Sequence, residues 1–300
     1  MPNQTPPSPH RIRVVDAFTD RPFSGNPAGV LLLNAFPDDA WLQHVAMEVN
    51  HAETAFAHPL PQGSKDAEGN EADWALRWFT PTTEVDMCGH ATLATAHVLH
   101  TTGRTTAQTT AQATGRTSAQ PTGRVRFTTR SGILTATTTE DGTITLDFPT
   151  APLTPTTTPD GVAEALGATP VSVHDTGPNV GDLLVELPDE KTVRALTPDH
   201  KALIQHSRRG IITTARAEDP TGDYDFISRC YFPRVGIDED PVTGSAHTAL
   251  APFWSERLGR THLTGLQASP RGGLVRTELR GDRTLLRGKA VTVIEGDLFA

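Results

Sequence analysis

Three hundred residues are enough for two domains of ordinary size, each able to bury a core of its own. With 36% hydrophobic and 20% charged residues the chain reads as globular, and a formal net charge of −9 argues against a nucleic-acid surface, which needs clustered Lys and Arg. No run approaches the roughly 18–20 apolar residues of a membrane-spanning helix, so neither nucleic acid nor membrane is an expected partner.

The first ten residues, MPNQTPPSPH, lack the charged start and apolar stretch of a secretion signal, which points to a cytoplasmic protein with Cys88 and Cys230 as thiols. RIRVVDAF (11–18) and GVLLL (29–33) read as strands separated by the turn chemistry of DRPFSGNPA. Asp38 or Asp39 caps a helix through Val49 with Trp41, Leu42, Val45, Ala46 and Val49 on one face. ETAFA (53–57) and WALRWF (74–79) follow as strands. Residues 101–124 contain TGR and AQ units and no large apolar side chain, and read as a flexible insert at a domain boundary, with an N-terminal lobe over 1–122 and a C-terminal lobe over 123–300.

The second half opens with GILTATTT and TITLDF around the turn EDG, a predicted hairpin. DGVAEAL is a short helix ended by Gly167, and a second helix starts at Thr197-Pro198-Asp199 and runs to about Gly210. GIITTARA and YDFISRCYF are strands, and the tail from GGLVRTEL to AVTVIEGDLF reads as two or three more, the last of which could return to the N-terminal lobe. Hairpins mixed with helices, rather than repeated βαβ units, predict an α+β fold with mixed sheets.

Two stretches of the chain correspond. LRWFTPTTEVDMCGHATLATAHVL (76–99) and SRCYFPRVGIDEDPVTGSAHTALAPFW (228–254) each carry Arg and aromatics, then Pro, an acidic loop, a Gly followed by a polar residue, and a helical Ala/Thr/Leu run. This order predicts a duplicated domain with two equivalent helix N-termini across one cleft. The first amides of a helix have no internal acceptor and the peptide dipoles add positive charge there, so tips led by Gly89 and Gly244 suit a carboxylate or developing enolate.

Several side chains near these tips could carry chemistry. Cys88 is either a small buried residue or a thiol base; a two-thiol racemase would need a second cysteine where Thr243 stands, and threonine does not ionise near neutral pH. His90 and His97 lie seven residues apart, about 10 Å along a helix, which does not chelate one ion, so no metal site is expected. Glu53, between a helix end and an apolar strand, is either an ordinary flanking carboxylate or a general acid/base. Asp240, just before the second tip, is the acidic-loop residue expected to face the cleft.

VVDAFTDRPFSGNPAGVLL, NHAETAFA, LRWFTPTTEVDMCGHATLATAHVL and DEDPVTGSAHTAL resemble the PhzF family of phenazine-biosynthesis-like proteins, a branch of the diaminopimelate-epimerase fold. The resemblance implies two similar lobes, each a curved mixed sheet (a half-barrel) around a central helix, with the active site between them. It also implies a cofactor-independent isomerase of secondary metabolism, in which one Glu moves a proton on a small unsaturated, carboxylate-bearing substrate. The family's Glu, His, Asp and Ser match Glu53, His90, Asp240 and Ser245, and its backbone donors match Gly89 and Gly244. A homodimer is implied as well. Two other functions remain open: an epimerase or racemase pairing Cys88 with a second base, and a non-catalytic small-molecule binder.

Overall fold

The computed structural model describes residues 9–105, 121–206 and 208–300. The described chain divides into two compact units: 9–23, 27–144 and 289–300 form the first, and 24–26 with 145–288 form the second. The fold is α+β, and in each unit a mixed sheet surrounds one helix.

In chain order the first unit is built from β1 (His10–Ala17), β2 (Asn26–Leu32), α1 (Asp39–Val49), β3 (Glu53–Pro59), β4 (Trp74–Phe79), β5 (Glu84–Val85), α2 (Gly89–Thr101), β6 (Pro121–Thr129) and β7 (Gly132–Thr139). The second holds β8 (Ile144–Pro149), β9 (Thr154–Thr156), α3 (Val162–Leu166), β10 (Ser172–Asp175), α4 (Gly177–Val180), β11 (Asp182–Glu186), α5 (Glu190–Ala195), α6 (His200–Leu203), β12 (Gly210–Arg216), β13 (Phe226–Phe232) and β14 (Ile237–Asp240). It continues with α7 (Gly244–Leu258), β15 (His262–Gln267), β16 (Gly273–Arg280) and β17 (Arg283–Gly288). The last strand, β18 (Ala290–Leu298), belongs to the first unit, where it runs antiparallel to β1.

Local chemistry explains the elements next to the site. Asp38 caps α1 by accepting from the Trp41 amide, and Leu42, Val45 and Ala46 form its buried face. Leu31, Phe56 and Phe79 from β2, β3 and β4 complete that cluster. The helix closes at Asn50, whose left-handed backbone (φ 52°) turns the chain into β3. α2 packs on β1, β3, β7 and β18 and is buried on nearly every side. Its residues are accordingly small, and the buried Thr92 and Thr95 hydroxyls donate back to the carbonyls of Cys88 and Ala91. α7 is surrounded in the same way by β11, β15, β16 and β17. Pro252 cannot donate to the Thr248 carbonyl inside α7, and that carbonyl accepts from the Ala151 amide instead.

The two units repeat strand for strand. β2 pairs parallel with β3, β3 antiparallel with β4, β4 antiparallel with β5 and parallel with β6. β11, β12, β13, β14 and β15 reproduce each of these relations. Arg77 makes a bidentate pair with Glu84 and lies over Phe79; Arg229 does the same with Glu239 and Tyr231. Register then fixes further equivalences between the units. Thr54 faces Phe79 as Ile211 faces Tyr231, so Glu53 is matched by Gly210. Trp78 faces Val85 as Cys230 faces Asp240, so Asp240 is matched by Val85.

Three sequence expectations need correction. The division of the chain falls after Ile144, not at 122, because the β6–β7 hairpin is part of the first unit. The predicted insert shrinks at both ends, since Thr101 closes α2 and 121–124 begin β6; its centre, 106–120, lies outside the described residues. The EDG turn forms as expected, with the Thr139 amide donating to the Thr143 carbonyl, and β8 pairs with β17 in addition to its neighbour β7. The helix begun at Asp199 stops after Leu203, well short of Gly210.

Gly210 has no room for a side chain: a Cβ there would lie 2.0 Å from Phe232 Cδ1 and 2.6 Å from the Tyr231 carbonyl oxygen. Gly210→Ala is therefore expected to destabilise the protein by about 1–3 kcal/mol, read as a lowered thermal midpoint. Gly29→Ala, where the nearest atoms are side-chain atoms of Thr54 and Val49 at 3.0 Å, should cost less.

Candidate active site

Glu53 is the first residue of β3 and sits half-buried opposite Ala28 of β2. His90, the second residue of α2, is almost fully buried. Its Nε2 lies 3.3 Å from Glu53 Oε2, and its Nδ1 lies 3.5 Å from Cys88 Sγ. Burial, with a smaller contribution from His51, pulls the His90 imidazole down to about 3. The ring is therefore neutral near pH 7, and its contact with Glu53 is a close polar approach rather than an ion pair. Two residues predicted from separate motifs are thus brought together by one strand and one helix tip.

The donor atoms of Glu53, Cys88 and His90 all lie within 4.8 Å of one another, which invites a test as a metal centre. Thiolate, imidazole and carboxylate are all zinc ligands, but an ion uses one imidazole nitrogen. Here Nδ1 faces the thiol and Nε2 faces the carboxylate, and the two ring nitrogens point away from each other. His90 therefore stands between the thiol and the carboxylate, with a different ring nitrogen nearest each.

The second unit builds a different cluster at the tip of α7. Asp240 is buried and accepts from Asn26 Nδ2 (2.8 Å) and from the Thr243 hydroxyl. Burial pushes the Asp240 carboxyl up to about 6, against the opposing effects of Thr243, Asn26 and Arg209. Gln267 locks the turn by donating to the Asp240 carbonyl and accepting from the Thr243 amide. Ser245 accepts from Arg209 Nη2 at 2.9 Å, and Arg209 is itself held in a fork by the fully buried Asp182, at 2.9 and 2.6 Å. Asp240, Gly244 and Ser245 therefore share one helix tip, as their sequence order suggested. His97 is not part of either cluster; its Nε2 meets Thr292 of β18 at 3.2 Å.

Sequence reasoning missed Asn26, Asp182, Arg209 and Gln267. Asn26 lies in SGNPA, where its neighbours signal only a turn, and it donates to both Asp240 and the Val242 carbonyl across more than 200 residues of chain. Arg209, in SRRG, has no local signal at all, because the parallel register of β11 with β12 alone brings it to Asp182.

These elements define an α+β protein of two repeat-related units, with a carboxylate–imidazole pair at one helix tip and a buried carboxyl at the other. The chain belongs to the phenazine biosynthesis-like protein (PhzC-PhzF) family, whose pattern it matches over residues 15–296. It is 44% identical to an uncharacterized isomerase of Halalkalibacterium halodurans over 289 residues, covering 96% of this chain and 98% of that one. An uncharacterized isomerase of Pseudomonas aeruginosa is also 44% identical, with 95% and 96% covered. Among solved structures, a PhzF-family phenazine biosynthesis protein of Enterococcus faecalis superposes with a TM-score of 0.81 at 35% identity, covering 98% of this chain and 100% of that one. Among the described residues no helix is long and apolar enough to cross a membrane.

Burial gives the protein a defined acid sensitivity. His90, His97 and His247 are held neutral by burial, with folded midpoints of about 3, 4 and 4 against 6.5 for an exposed ring. The unfolded chain therefore binds more protons as pH falls below 6.5, and this contribution to stability, full above 6.5, is lost toward pH 4. Asp240, raised to about 6, opposes this because the folded state takes its proton first. His174 is lowered as well and Asp182 raised, so the lowered histidines outnumber the raised carboxyls and the unfolding free energy should fall as the pH drops through about 5, measurable by denaturant titration at stepped pH. Thr243→Val removes a donor to the ionised Asp240 and should move that carboxyl's NMR titration midpoint above 6.

Proposed function

We propose that this protein is a cofactor-independent isomerase in which Glu53 alone moves a proton along the carbon skeleton of a small unsaturated, carboxylate-bearing metabolite. At the coarser level the chain is an isomerase- or epimerase-type enzyme acting on a small metabolite, a reading supported by family membership and by 44% identity over nearly the whole chain to two isomerases.

The observation that carries the finer reading is an asymmetry within the repeat. Glu53 has Gly210 as its counterpart, and a Cβ at that position would overlap Phe232. A second carboxylate cannot be held at the matching place, so a symmetric pair of bases is not available from this position. One carboxylate that both removes and returns a proton fits that constraint. In the forward step a C–H bond next to the unsaturated system breaks, its proton passes to a Glu53 oxygen, and the electron pair spreads toward the substrate carboxylate. The same Glu53 then returns the proton to a different carbon, and atoms and charge balance over the cycle.

His90 is assigned to hold the Glu53 carboxylate in place, through the approach of Nε2 to Oε2. The tip of α7 is proposed separately as a carboxylate-holding element. Gly244 supplies a backbone amide there, Ser245 a hydroxyl set by Arg209, and Asp240 a buried polar contact. An epimerase with Cys88 as second base finds less support, because the thiol is turned toward His90 and its counterpart is Thr243.

The test is deuterium uptake from D2O into a panel of small unsaturated carboxylic acids, followed by proton NMR. The wild-type protein should exchange one carbon-bound hydrogen of its substrate and shift its double bond. Glu53→Gln should lower that rate by about 10²–10⁴-fold with thermal stability little changed. Retention of most of the exchange by Glu53→Gln would remove Glu53 from the mechanism.

A further inference from the structure

Arg209 is engaged on one edge of its guanidinium and open on another. Its Nε and Nη2 form a fork on the fully buried Asp182, at 2.9 and 2.6 Å, and the second Nη2 hydrogen goes to Ser245 Oγ at 2.9 Å. The Arg209 amide donates to the Gly181 carbonyl, and the guanidinium carbon lies 4.8 Å from the centre of the Phe232 ring. Backbone and side chain are both fixed. Nη1 carries two hydrogens and has no hydrogen-bond partner among the described residues, while 31% of the Arg209 side-chain surface is exposed.

The contact with Ser245 has only one possible direction. A guanidinium is a donor without an acceptor and keeps its charge throughout the neutral range, so Ser245 Oγ accepts. The serine's own hydrogen is left to donate, and it has no acceptor among the described residues. The fork on Asp182 uses the Nε–Nη2 edge of a planar group. The Nη2 hydrogen that meets Ser245 therefore lies on the Nη1–Nη2 edge, parallel to a hydrogen of Nη1. Ser245 Oγ fills one of the two places that a bidentate carboxylate would take on that edge, and the second place lies beside it. An oxygen there receives hydrogens from both Arg209 Nη1 and the Ser245 hydroxyl.

We infer that Arg209 is a substrate-binding residue, whose Nη1 joins the Ser245 hydroxyl in holding one oxygen of the substrate's carboxylate. This rests on the reading of the α7 tip as a carboxylate-holding element, and it adds a side chain from outside the helix that faces the ligand. Asp182 offsets the guanidinium charge, so the place selects an oxygen by its hydrogen-bond donors more than by net charge. Arg209 is already held by Asp182, Gly181 and Phe232, so little side-chain freedom is lost when a ligand binds.

The test uses acetate, the simplest stable carboxylate probe, with the full-length protein labelled with ¹⁵N-arginine. The Arg209 side-chain signals are assigned by their loss in Arg209→Lys and followed by NMR through a titration at constant ionic strength. Acetate should shift them saturably, whereas chloride and methylammonium should not. Ser245→Thr keeps a hydroxyl and should hold the acetate dissociation constant within about threefold. Ser245→Val, of similar shape but with a methyl group in its place, should raise that constant about tenfold. In the deuterium-uptake assay, Arg209→Lys should raise KM for the exchanged acid about tenfold, with kcat kept within about threefold. Absence of a saturable acetate shift at Arg209, equal acetate affinity for Ser245→Thr and Ser245→Val, or an effect of Arg209→Lys on kcat alone would overturn the inference. The wild-type titration decides even if no variant folds. Failure of the isomerase reading shows separately, as undiminished uptake by Glu53→Gln with the acetate shift unchanged.

Discussion

A helix buried on all sides imposes the terms on which each unit is built. α2 and α7 have almost no solvent-facing stripe, so nearly every side chain packs against a surrounding strand and the buried Thr92, Thr95 and Thr248 return their hydroxyls to their own helix backbone. Burial also concentrates polarity at one place. The N-terminal amides of such a helix lie where water competes weakly, so the residues gathered at the tip interact more strongly than they would on a surface. Glu53 with His90 in one unit, and Asp240 with Ser245 in the other, are gathered at those ends.

The same burial sets the charge states. His90 is neutral because the surroundings cannot solvate an imidazolium, and Asp240 titrates near 6 because they solvate a carboxylate poorly. These two shifts have one cause and opposite chemical consequences. In the first unit a ring that stays neutral serves as a fixed hydrogen-bond partner. In the second, a carboxyl able to change protonation close to neutrality is held by Asn26, Thr243 and Gln267 in a fully connected polar turn.

Repetition of the fold makes the differences between the copies informative. The Arg–Glu forks, the aromatic two residues after each Arg and the Gly at each helix start are shared, and they hold the architecture. Glu53 against Gly210, Val85 against Asp240, His90 against Ser245 and Cys88 against Thr243 are not shared, and every candidate side chain for chemistry falls in this second set, the backbone donors Gly89 and Gly244 being common to both. Duplication supplied two similar scaffolds, and the side chains at the tips have diverged into separate tasks.

The sequence by itself determined the mixed α+β class, most strands, the capped helix over 39–49 and the pairing of the two repeats, because each rests on local periodicity or turn chemistry within a few dozen residues. It also marked Glu53, His90, Asp240, Gly244 and Ser245, through their motifs and their place beside Gly-led helix starts. Tertiary structure alone decided which residues meet. Arg209 reaches Asp182 and Ser245, and Asn26 reaches Asp240, through strand register and long-range packing that leave no local trace. Cys88 shows the division most clearly: its presence before Gly89 is legible, but that its thiol faces an imidazole is a property of the folded helix tip, where a buried cap side chain takes the polar partner nearest to it.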